Sequence, residues 1–157
     1  MVKYVQHFGL TVSNLDEARH FFHDLLGLEA TEVRETSGER PETILGIPKI
    51  SLRLCLFKLP DGNNLEVIEY LNPRGTKLDL RTCNPGVPHI AFVVDDIQKM
   101  YEDLGARGVK FVNPPYWGGA WLVRAGVSAS SGGQTASQSS SCNRQKKNRL
   151  RIFTNQN

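Results

Sequence analysis

The chain has 157 residues, 39% hydrophobic and 22% charged, which suits one ordinary globular domain with a real core and leaves no apolar run near the roughly 20 residues a membrane span needs. Its net charge of +3 describes neither part of it: residues 1–103 hold all 16 Asp+Glu against 11 Lys+Arg, whereas residues 104–157 hold 8 Lys+Arg and no acid. Cys55, Cys83 and Cys142 are odd in number and form no CxxC; with no signal-peptide pattern at the start, they predict a cytoplasmic protein.

Taken in order, residues 4–12 read as a strand. Asn14 caps a helix with Glu17 three residues on, and Leu15, Ala18, Phe22, Leu25 and Leu26 form its apolar stripe up to Gly27. Residues 28–35 alternate as a second strand, and the Gly- and Pro-rich stretch 36–49 reads as a long irregular connection. Residues 50–59 and 65–71 are strong strands joined through Asp61-Gly62, hence an antiparallel hairpin. Residues 76–88 are a polar linker. A strand from His89 to Val94 follows, then a helix capped by Asp95 or Asp96 with Ile97, Met100, Tyr101 and Leu104 inward, and short strands at 109–112 and 120–124. Residues 128–143 are almost entirely Ser, Gly, Gln, Ala, Thr and Asn, which cannot bury enough apolar area to offset chain entropy. The expected organisation is a first module at 1–75, a linker at 76–87, a second module at 88–126 lacking its final strand, and a basic disordered tail at 127–157. So abrupt a change of composition near Arg124 is what a reading-frame change or a fused unrelated end would produce.

The opening is said twice. Val5-Gln6-His7-Phe8-Gly9-Leu10-Thr11-Val12 is echoed 82 residues on by Val87-Pro88-His89-Ile90-Ala91-Phe92-Val93-Val94, each copy a His at the head of an apolar strand followed by a capped helix. Histidines at matching points of two modules are a natural way to build a metal site. A lone His of this kind is more often structural; the repetition reverses that weighting.

With the segment Leu59-Pro60-Asp61-Gly62-Asn63-Asn64-Leu65-Glu66-Val67-Ile68-Glu69-Tyr70, these motifs resemble the vicinal oxygen chelate superfamily of glyoxalases, epimerases, dioxygenases and bleomycin-resistance proteins. The resemblance implies an α+β fold of paired βαβββ modules and a divalent metal (Ni, Zn, Mn, Fe or Mg) bound by His7, Glu66 and His89. Glu66 would be ligand or base, in lyase or epimerase chemistry on a small oxygenated substrate. Glu66 is preferred to Glu69 by motif register, and Glu69 is read as a solvated or rim charge. Family members end the second module with a further Glu, and no acid follows Asp103, so the fourth ligand is missing. Arg53, Trp117 and Trp121 are weaker candidates for substrate binding. A homodimer is expected to cover the incomplete module. The alternative is a metal-free protein that sequesters a ligand, as bleomycin-resistance proteins do; nucleic-acid contact through residues 144–151 is weaker still.

Overall fold

The computed structural model describes residues 1–76, 78–81, 83–117, 121–126 and 148–153, and from residue 117 onward it describes the backbone alone. The chain divides into two compact units, Met1–Asp79 and Leu80–Asn157.

The first unit runs β1 (His7–Val12), α1 (Leu15–Arg19), a π-helical turn (His20–Leu25), β2 (Glu29–Ala30), β3 (Arg34–Ser37), α2 (Glu39–Leu45), β4 (Ser51–Lys58) and β5 (Asn64–Asn72). Its sheet has the order β1-β5-β4-β2, with β3 also paired to β4. The β4–β5 pair is the expected hairpin. Gly62 takes φ 88°, which a side chain would resist, and Asp61 Oδ1 accepts from Asn63 N at 3.0 Å. Strand β5 then returns to lie parallel to β1.

One face of this sheet is covered by the first helix; the other is more accessible, with His7, Gly9 and Thr11 exposed and Leu54, Leu56, Glu66 and Ile68 half-buried, although Leu52 at its far end is buried. Cys55, Phe57, Leu65 and Val67 are fully buried beneath Leu15 and Phe22, and the Phe22 and Phe57 rings stand 5.3 Å apart. The expected helical stripe is shifted: Phe21 is buried, whereas Leu25 and Leu26 are only half-buried. The π-helical turn is the reason, because widening the helix lets the adjacent Phe21 and Phe22 both reach the core.

Helix α1 begins as its sequence predicts. Asn14 Oδ1 accepts from the amides of Asp16 and Glu17 at 3.0 and 3.2 Å. Asn14→Ala should therefore cost about 1 kcal/mol, read as a lower urea midpoint at unchanged slope. A shift indistinguishable from zero would show that the cap is replaced by water.

The connection 36–49, expected to be irregular, contains the end of β3 and the whole of α2. Three of its breakers are helix punctuation: Gly38 precedes the helix, Pro41 sits in its first turn, and Gly46 ends it at φ 67°.

The second unit runs β6 (Ile90–Val94), α3 (Ile97–Ala106), β7 (Lys110–Trp117), β8 (Trp121–Gly126) and β9 (Asn148–Phe153). Asp96 is the cap of α3, accepting from Gln98 N and Lys99 N at 3.0 Å each. Strand β7 continues through Pro114-Pro115, which was expected to interrupt it. The β7–β8 register shifts across that dipeptide, as two residues without N–H groups require, and β7 is an edge strand, where proline is tolerated.

The larger departure is β9. Residues 148–153 were expected to belong to a disordered tail, yet they form a strand between β6 and β8. The alternation Arg149-Leu150-Arg151-Ile152 explains it: Leu150 pairs with Phe92 and Ile152 with Ile90, on the face where α3 packs. In the order β6-β9-β8-β7 this strand holds the slot that β5 holds in the first unit, but it runs the other way, antiparallel to β6 and parallel to β8. Residues 127–147, the rest of the expected tail apart from 154–157, lie outside the described residues, as do 154–157.

Candidate functional site

His7 opens β1 and Glu66 lies in β5, and strand pairing sets them on one face. Residue His7 is opposite Asn64 and Gly9 is opposite Glu66, so the period of two aligns His7, Asn64 and Glu66 on the more accessible side of the sheet. His7 Nε2 stands 3.5 Å from Glu66 Oε2, with the side chains 42% and 24% exposed. Two ligands about 2.1 Å from a tetrahedral ion stand roughly 3.4 Å apart, so this separation fits a shared divalent metal.

The other ring nitrogen strengthens the fit. His7 Nδ1 lies against Gln6 Oε1, an amide oxygen that accepts from it when the ring carries its proton on Nδ1. That leaves the Nε2 lone pair facing a carboxylate oxygen. In that tautomer the pair offers a divalent metal one nitrogen and one oxygen ligand. Gln6 is a participant that sequence reasoning missed, although its place directly before His7 was the available signal. Around the pair, the same face of β4 and β5 carries Leu54, Leu56 and Ile68, all half-buried, an apolar floor suited to the carbon skeleton of a small molecule.

Glu69 and Arg53 take up the opposite face. Glu69 is 8% exposed, not the solvated rim charge expected, and its Oε2 accepts from Leu15 N at 3.1 Å, satisfying the first amide of α1. Arg53 reaches the same oxygen at 3.4 Å and grips Asp16 with both terminal nitrogens at 2.9 and 3.1 Å. Arg53 donates to Asp16, which holds that carboxyl below its ordinary value of 3.8. Arg53 therefore serves the helix–sheet contact and lies away from His7 and Glu66.

His89 immediately precedes β6 in the second unit and is exposed. The side chains of Trp117 and Trp121 lie outside the description. Among the described residues, no group of three or more His, Cys, Asp or Glu is gathered as a metal cluster.

Residues 6–127 match the model of the glyoxalase/bleomycin resistance protein/dioxygenase superfamily. A 2-epi-5-epi-valiolone epimerase from Actinomyces sp. is 30% identical over 115 residues, covering 71% of this chain; the chain spans 63% of that curated relative's length. Among solved structures, a glyoxalase-family protein from Bacillus cereus superposes with a TM-score of 0.65 at 20% identity, covering 99% of this chain and 97% of that one. The trypanothione-dependent glyoxalase I of Leishmania major does so with a TM-score of 0.54 at 16% identity, covering 98% and 87%. These two likenesses concern the fold. With the family match spanning most of the sequence, the chain belongs to the glyoxalase/bleomycin resistance protein/dioxygenase superfamily.

Proposed function

We propose that this protein is a metal-dependent enzyme acting on a small oxygenated substrate by epimerase- or lyase-type chemistry. Its metal is held by His7 and Glu66, with His89, at the matching position of the second module, as a further ligand. The observation that carries the reading is the approach of His7 Nε2 to Glu66 Oε2 with Nδ1 already engaged by Gln6. The epimerase named among its relatives favours isomerase chemistry. A divalent ion there supplies Lewis acidity toward a substrate carbonyl.

The residues' own parts follow from their placement. Gln6 keeps the imidazole in the tautomer that offers Nε2. Glu66, partly exposed beside it, is positioned to take a proton from a carbon next to a carbonyl. Leu54, Leu56 and Ile68 exclude water from one side of the substrate. The working unit is a homodimer, as is common in the family.

The test is direct. Purified protein equilibrated with nickel, zinc or manganese and then desalted should retain a stoichiometric ion, and His7→Ala should lose it. Metal-loaded protein supplied with 2-epi-5-epi-valiolone in deuterated water should exchange a carbon-bound hydrogen for deuterium. A wild-type chain that retains no ion overturns the metal reading. Sedimentation showing a monomer at micromolar concentration would remove the dimer.

A further inference from the structure

Gly9 is the residue of β1 that the fold does not explain. It lies in the strand interior, outside the left-handed backbone region, and a β-carbon built there would meet no heavy atom within 4 Å. Nothing in the packing excludes a side chain. A glycine at such a place weakens a strand, because it is freer in the unfolded chain and gives its neighbours nothing to pack against. What it does allow is close approach of another group to the backbone.

Its surroundings say which group. Strand register puts Gly9 opposite Glu66, and Glu66 opposite Leu56 of β4, in one row across three strands. His7 precedes Gly9 by two residues and Thr11 follows it by two, so all three share the side of the sheet on which His7 Nε2 stands 3.5 Å from Glu66 Oε2. The next row is Thr11, Ile68 and Leu54. Leu54, Leu56 and Ile68 are half-buried and Gly9 is exposed, so bare strand backbone continues the apolar floor to β1 beside the two polar groups. From β1 to β4 the floor spans two strand spacings, about 10 Å, wide enough for one six-membered ring laid flat. The repeat keeps this position small, for Ala91 follows His89 by two and is exposed.

We propose, resting on the metal reading of His7 and Glu66, that Gly9 is a specificity-determining position. The missing side chain leaves a slot in which the face of a ring-bearing substrate lies against the β1 backbone while its oxygens reach the metal. A side chain there would hold the ring off the strand and forfeit contacts that depend on van der Waals separation. An open-chain substrate of two carbons does not extend over Gly9 and is indifferent to it.

Titration of the cobalt(II)-loaded full chain with two hydroxamates, followed by visible absorption, tests this, since both chelate a metal through the same two oxygens and only one carries a ring. Wild type should bind benzohydroxamate more tightly than acetohydroxamate. Gly9→Val should weaken benzohydroxamate about tenfold or more and leave acetohydroxamate within about twofold, with Gly9→Ala between. Both variants should retain cobalt and show urea midpoints no lower than that of wild type. Undiminished benzohydroxamate affinity in Gly9→Val, or an equal loss of both ligands, would overturn the proposal. A lowered urea midpoint would overturn it in favour of a structural glycine. A wild-type chain that holds no cobalt fails the metal reading and takes this proposal with it; cobalt held with no preference for the ring fails this proposal alone.

Discussion

Replacing Arg53 with alanine should lower the unfolding free energy by on the order of 3 kcal/mol, the largest stability loss expected from any single charge in the first unit. The reason is Glu69. Glu69 is buried, receives Arg53 at 3.4 Å and accepts from the first amide of α1. Removing the guanidinium leaves that charge buried without its partner, and desolvating an unpaired carboxylate costs several kcal/mol. Urea unfolding of the variant checks it; a loss below about 0.5 kcal/mol would show that the helix N-terminus alone stabilises Glu69. The double variant Arg53→Met with Glu69→Gln should recover more than half of the loss, because the amide oxygen still serves Leu15 N while the stranded charge is gone.

The same network has a pH signature. Asp16 is held below 3.8 chiefly by the hydrogen bond from Arg53. A depressed carboxyl contributes stability that is fully present above its unfolded value and is lost as pH falls through the folded one. The Asp16 contribution should therefore fade below pH 3.8 in the wild type and be absent at every pH in Arg53→Ala. Because Asp16 is largely exposed, added salt should shrink it.

Glu66→Gln carries the second large expectation. If Glu66 ligates the metal, the neutral amide should weaken divalent-ion affinity by about 100-fold or more, since removing even outer partners of a ligand costs 10- to 100-fold. Cobalt(II) titration followed by its visible absorption gives this directly. Unchanged affinity together with turnover reduced about 100-fold would assign Glu66 the proton-transfer role instead. Unchanged affinity and turnover would exclude it from the site.

The hairpin around Asp61-Gly62, the caps Asn14 and Asp96 and the repeated His-strand were all legible because each depends on neighbours within a few residues. Glu66 and Glu69 show where such reading stops. Alternation separates them onto opposite faces, but it cannot say that one face is roofed by α1, 54 residues away in the chain, whose first amide then claims Glu69. Arg53 was ambiguous for the same reason: an arginine in an apolar strand is explained only by the carboxylates that folding brings to it.

The tail marks the boundary from the other side. Composition condemned residues 127–157 as a block, yet Arg149-Leu150-Arg151-Ile152 has the period of a strand, and a strand needs an empty slot beside another to be stable. Sequence by itself determined the family, the two-module plan and the pair of histidines, since short-range patterning and turn chemistry encode them. Tertiary structure decided which carboxylate shares a face with His7, which one is buried beneath a helix, and that a basic segment fills the slot between β6 and β8. Those outcomes depend on long-range pairing and burial, which no local pattern contains.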